Sequence, residues 1–245
     1  RSVHAPLRYR HVAVDEVQDF SPLEVRVLLD CLDPERSLTL AGDTQQHLVE
    51  ESGFISWGDF LNELDVDGAE IETLRVSYRS SRQIMTFALE LLGELREHDE
   101  SPAVPREGPP VEMFRFTERG ACVAFLADAL RGLAEQEPLA SVAVLTPSAE
   151  LSAVYADGLV ASDVPRVRRV EQQDFTFAPG IEVTEIEQAK GLEFDYVIVV
   201  DAGEEHFPAT AGSRRRLHVA ATRAVHQLWV SCVGAPSPLL ESLAG

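Results

Sequence analysis

Five short segments carry residue types that handle phosphate, and each falls where a strand or helix pattern begins or ends. Asp15-Glu16-Val17-Gln18-Asp19 follows the apolar run His11–Val14 directly. In open parallel sheets, ligands gather at the carboxyl ends of strands. Adjacent carboxylates there suit nucleotide hydrolysis, with Asp15 holding Mg2+ directly or through water and Glu16 orienting and deprotonating the attacking water. Leu40–Gln46 ends a second strand pattern, and a glutamine there can bond a γ-phosphate or its attacking water. In Tyr78-Arg79-Ser80 the arginine can pair with phosphate oxygens and the tyrosine can stack on a base. In Gln188–Asp195, Gly191 allows close approach of backbone to ligand and Glu193 can accept a ribose hydroxyl. In Val219–Ala224, Arg223 projects from a small-residue helix as an arginine finger would. Taken singly, each segment also has a plain reading: a charged strand end, a Gly-Asp turn, a core tyrosine beside a surface arginine, a surface salt bridge.

The elements that must position these residues alternate between strand and helix patterns. Strands are expected at 11–14, 37–41, 72–77, 111–116, 141–146, 164–170, 181–186, 196–200 and 228–233. Helices are expected from Pro22, over 54–64, from Ser80 to Leu95, and over 118–133, 148–159 and 217–225. Ser21-Pro22-Leu23-Glu24 reads as a capping box with proline at the first helical position, and Ser80 with Gln83 reads as a second box. The continuous apolar run Tyr196–Val200 is expected of a strand buried on both faces. Repeated βα units imply α/β architecture, with parallel sheets covered by helices.

Composition sets outer bounds. The chain has 245 residues, 45% of them hydrophobic and 25% charged, as in ordinary globular proteins. No apolar stretch is long enough to span a membrane. With 21 basic and 41 acidic residues the net charge is −20, so any nucleic-acid contact is expected to be local. Cys31, Cys122 and Cys232 are odd in number and widely spaced, which fits a reducing, cytoplasmic setting and neither a disulfide framework nor a zinc site. Lys190 is the single lysine against twenty arginines. Residue 1 is Arg, and only two or three strands precede the acidic stretch around Asp65–Glu70, so the chain is expected to be part of a longer polypeptide.

In their order, the five segments resemble the UvrD/Rep-like superfamily 1 helicases and translocases. DEVQD is similar to the family's DExQD, AGDTQQ to GDxxQ, VSYRSS to NYRS, AKGLEFD to KGLEF and HVAATRA to YVALTRA. The resemblance runs from about residue 11 to 233 and implies two RecA-like domains. Residues 1–68 would be the last part of the first and 69–245 the second, with ATP and Mg2+ bound between them. It further implies that Asp15 and Glu16 serve Mg2+ and the hydrolytic water, and that Gln46 senses the γ-phosphate. Tyr78 would flank the base, Arg79 and Arg223 would contact the γ-phosphate, and Glu193, beside Gly191, would face the ribose. The implied partner is single-stranded or duplex DNA.

Departures from the pattern qualify this. No GxxxxGK[ST] loop occurs in these 245 residues, so the phosphate-cradling portion is expected upstream, and the chain alone is not expected to hydrolyse ATP well. Gln46 is followed by His47-Leu48-Val49-Glu50-Glu51 where the family carries base-stacking aromatics, while Phe54 and Trp57 are expected in core packing. Glu187 stands at the family's His position and His218 at a Tyr. Arg214–Arg216 read equally as a phosphate contact or a solvated basic turn. The 112 residues from Tyr78 to Lys190 leave no room for the large second-domain insertion. That spacing resembles helicase IV and the HelD-type motors, which makes an ATPase that remodels RNA polymerase one alternative. A non-catalytic interaction module of the same fold is the other.

Overall fold

The computed structural model describes residues 7–43, 56–66, 69–74, 76–96 and 102–241. The chain divides into two compact units, Arg1–Thr73 and Leu74–Gly245. In the first, β1 (Tyr9–Val14) pairs in parallel with β2 (Leu32–Leu40), with Val14 opposite Leu40. Between them runs α1 (Pro22–Leu29), opened by the expected box: Ser21 accepts from the Glu24 N–H, and the Glu24 carboxylate accepts from the Ser21 N–H. A second helix, α2 (Trp57–Glu63), adds Phe60, with Leu64 just beyond its end, to a core built on Val14, Val17 and Val25. Trp57 packs on that core, its ring edge-on to Phe60, as expected; Phe54 lies outside the described residues.

The second unit is built on six parallel strands: β3 (Glu112–Phe116), β4 (Ser141–Thr146), β5 (Val167–Arg169), β6 (Gly180–Glu185), β7 (Phe194–Val199) and β8 (Ala224–Val233). They lie in the order β3-β8-β7-β4-β6-β5. On one face, α4 (Arg119–Gln136) and α5 (Ala149–Ala161) bury Leu126, Leu130, Tyr155 and Leu159 against Val142, Val144, Val183 and Ile198. Successive side chains of a strand alternate faces, so Ala143, Leu145 and Val197 point the other way. There α3 (Arg82–Leu92) and α6 (Ala211–Thr222) pack on one another and on β8, with α6 also on β7. The expected α/β, RecA-like arrangement of parallel strands with helices on both faces is present in this unit.

Four expectations shift. Among the described residues of 72–77 no strand forms; Val76 makes only an isolated bridge to Ala103, and Leu74 is almost fully exposed, so no second face is buried to hold a strand there. The cap of α3 is Ser81, whose oxygen accepts from the Ile84 N–H, because the Ser80 hydroxyl is engaged elsewhere. Gln83 bonds Glu107 and the Gly108 N–H instead of closing a box. Helix α6 begins at Ala211, capped by Thr210, and stops at Thr222 because Ala224 already pairs with Phe194 of β7.

Candidate functional site

In the first unit, the ends of β1 and β2 sit side by side. The Ala41 N–H donates to the Val14 carbonyl at 2.8 Å and the Val17 N–H to the Ala41 carbonyl at 2.9 Å. Beyond β1, Asp15 is exposed and Glu16 partly so. Glu16 sits in the left-handed region at φ 51°, which is uncommon for a residue with a Cβ. Its N–H donates to Asp15 Oδ1 at 2.9 Å, and its Oε2 accepts from Gln18 Nε2 at 2.5 Å. Among the described residues no cluster of three or more metal-ligating side chains occurs. A lone carboxylate still fits Mg2+, which takes one or two carboxylates and fills its shell with water and substrate phosphates. Gln46 lies outside the described residues.

In the second unit, the third, fourth and fifth segments meet. Tyr78 is exposed, not packed in the core, and borders an open apolar hollow of about 570 Å³ with Val76, Met85, Leu89, Val104 and Pro105. Arg79 forms an ion pair with Glu193, both half-exposed. Two residues before Glu193, Gly191 takes φ +77°, where a Cβ would be strained. Arg223 donates from Nη1 to the Leu192 carbonyl at 3.1 Å, from Nε to the Val219 carbonyl at 3.1 Å and from Nη2 to Thr222 Oγ1 at 3.1 Å. It does not project from the helix: it stands at the C-cap of α6, 1% exposed, because the chain turns there at once into β8. The Ser80 hydroxyl donates to the Ala224 carbonyl at 2.7 Å. Arg79, Gly191, Glu193 and Arg223 therefore share one locality, stitched through Leu192 and Ser80.

Helices α3 and α6 are tied again farther along. His218 Nδ1 meets the Ala88 carbonyl at 2.8 Å, and Arg214 donates to the Leu91 carbonyl at 2.9 Å. A guanidinium at a helix C-terminus satisfies a terminal carbonyl and faces the negative end of the dipole. Arg216 pairs with Glu187, donates to the Pro147 carbonyl at 2.9 Å and lies over the Phe207 ring. Arg214 and Arg216 are thus engaged within the protein, and the phosphate-contact alternative for them is not what this arrangement shows. Ser80 and Gln18 escaped sequence reasoning, although both stand inside quoted segments; a serine beside Arg79 and a glutamine two residues past Glu16 were the available signals.

Comparison with known proteins bears on the fourth and fifth segments. Residues 180–231 match the UvrD-like helicase C-terminal domain. Two curated relatives, each named ATP-dependent DNA helicase UvrD2, come from Mycobacterium tuberculosis (strain ATCC 25618 / H37Rv) and Mycobacterium bovis (strain ATCC BAA-935 / AF2122/97). Both are 28% identical over 165 residues, covering 64% of this chain. The match spans only 23% of those relatives' own length. A solved structure of the C-terminal domain of a possible DNA helicase from Lactobacillus plantarum WCFS1 superposes with a TM-score of 0.56 at 29% identity. It covers 68% of this chain and 93% of that one. The resemblance to UvrD-like helicases is borne out, and the family match falls within the second unit.

Proposed function

We propose that this chain, which carries a UvrD-like helicase C-terminal domain, is the C-terminal motor part of an ATP-dependent superfamily 1 DNA helicase or translocase. On this reading residues 1–68 end the first motor domain and 69–245 form the second. The phosphate-binding loop comes from outside these 245 residues. Asp15 holds Mg2+, which supplies charge neutralisation at the phosphates, and Glu16 orients the hydrolytic water and takes its proton. Gln46 reads the γ-phosphate, while Arg79 and Arg223 supply cationic forks to it. Tyr78, with its exposed ring beside the apolar hollow, flanks the base; Gly191 lets the backbone approach, and Glu193 takes the ribose.

The observation that carries this reading is the convergence of Arg79, Glu193 and Arg223, which lie 114 and 30 residues apart in the chain yet meet around Leu192. Two arginines and one carboxylate around a glycine whose positive φ excludes a side chain suit a nucleoside triphosphate better than a structural ion pair alone. The DNA substrate is preferred over RNA polymerase because the curated relatives are named as DNA helicases.

The test is ATP hydrolysis by the full-length gene product. Single-stranded DNA is expected to stimulate it, and Glu16→Gln or Arg223→Ala to reduce it by about 100-fold or more. Absence of hydrolysis, or hydrolysis indifferent to both substitutions, overturns the reading. Stimulation by RNA polymerase in place of DNA transfers it to the polymerase-remodelling branch.

A further inference from the structure

We infer that Gln18 is the positioning residue for Glu16, a clamp that spans the carboxyl ends of the two parallel strands of the first unit; the inference rests on the role proposed above for Glu16. Gln18 is fully buried, and both ends of its carboxamide are engaged. Nε2 donates to Glu16 Oε2 at 2.5 Å, and Oε1 accepts from the Asp43 N–H at 3.0 Å. The orientation of the amide is unambiguous: a carboxylate needs a donor and a backbone N–H needs an acceptor, so a flipped amide would lose both bonds.

The surroundings are shaped for this side chain. A Cβ on Gly42 would lie 2.5 Å from Gln18 Oε1 and 3.0 Å from Val17 Cγ1, so only glycine admits the approach. Glu16 is held at φ 51°, a conformation that persists in a residue with a Cβ only where neighbours over-determine it. The Val17 N–H bond to Ala41 and the Gln18 bond to the carboxylate supply that constraint. One side chain thus fixes the direction of the Glu16 carboxylate relative to the Asp43 backbone N–H beyond the end of β2.

The test has two arms. In this 245-residue chain, the Gln18 side-chain amide protons are expected to exchange with solvent at least about tenfold more slowly than those of exposed Gln172. Gly42→Ala, which displaces Oε1 without touching Glu16, is expected to remove that protection. Exchange at the Gln172 rate, or protection that survives Gly42→Ala, overturns the clamp. In the full-length gene product, Gln18→Met and Gly42→Ala are expected to lower kcat by about 10- to 100-fold with KM for ATP nearly unchanged. A drop in stability with kcat intact, while Glu16→Gln abolishes turnover, overturns positioning and leaves Gln18 as a turn-holder only. A wild-type protein without hydrolysis overturns the proposed function, and the positioning role with it, while the exchange arm still decides the clamp.

Discussion

The hydroxyl of Ser80 donates to the carbonyl of Ala224 at 2.7 Å, joining the residue after Arg79 to the residue after Arg223. Both partners are buried, Ser80 at 1% and Ala224 at 0% exposure. The bond sits at the junction of the start of α3 with the start of β8, so two segments far apart in sequence arrive at the site in fixed relation.

Ser80→Ala strands a buried carbonyl. A group left without its partner in the interior costs about 1–3 kcal/mol. The urea unfolding midpoint is expected to fall accordingly. Turnover of ATP is expected to fall as well, since the spacing of the two guanidinium groups is no longer held.

Arg79→Lys preserves the charge and removes the planar fork. The Arg79–Glu193 pair is half-exposed, and such pairs contribute little to stability, about 0–1 kcal/mol net in water. Thermal melting is expected to be nearly unchanged, while hydrolysis drops by about 10-fold or more because the bidentate contact is lost. A variant that melts early and turns over normally would assign Arg79 to the scaffold.

Asp201 lies beyond the end of β7 at 3% exposure and in the left-handed region at φ 51°. Arg119, the first residue of α4, grips both of its oxygens at 3.0 and 3.1 Å. That hydrogen bond, ahead of a smaller opposing effect of burial, holds the Arg119 guanidinium above its ordinary pKa. Arg119→Met leaves a buried carboxylate without its charged partner and is expected to destabilise by about 3 kcal/mol, read in chemical denaturation. The double variant Arg119→Met with Asp201→Asn is expected to recover much of the loss.

Burial pushes the thiols of Cys122 and Cys232 up, so neither offers much thiolate at neutral pH. Cys31 is only partly covered. Alkylation of the native protein followed by mass spectrometry is expected to label Cys31 first, with Cys122 and Cys232 reacting only on unfolding.

Burial first, then the hydrogen bond to Glu137, pushes the Tyr196 phenol up to about 12. A raised pKa means the folded chain holds that proton more tightly than the unfolded chain does. Its stabilisation is therefore complete below the unfolded value of about 10 and is lost as pH climbs through about 12. Tyr196→Phe is expected to flatten that part of the alkaline stability curve.

Legibility followed range. The Ser21 box, the Tyr196–Val200 run and the βα alternation were readable because each depends on neighbours within a few residues. The strand expected at 72–77 is not found among the described residues, because strand pattern says nothing of whether a second surface exists to bury it. Ser80 reads as a cap for a related reason: its acceptor lies 144 residues away, and local pattern does not separate its role from that of Ser81. Residue types at the site were legible from five short segments, but burial was not. Arg223 therefore read as projecting when α6 and β8 enclose it, and Gln18 passed as a spacer. The expected sensor, Gln46, falls where the structure is not described.

Ser80 near one end of the α3–α6 pair, with His218 and Arg214 gripping Ala88 and Leu91 toward the other, makes the two helices a single strut. Neither helix can slide or rotate past its companion without breaking bonds at both extremities. Any displacement that brings Arg79 toward an anion must carry Arg223 along with it, and any withdrawal must remove both. On the role proposed above for Arg79 and Arg223, the two positive charges would then act as one gear tooth, engaging or releasing in a single stroke.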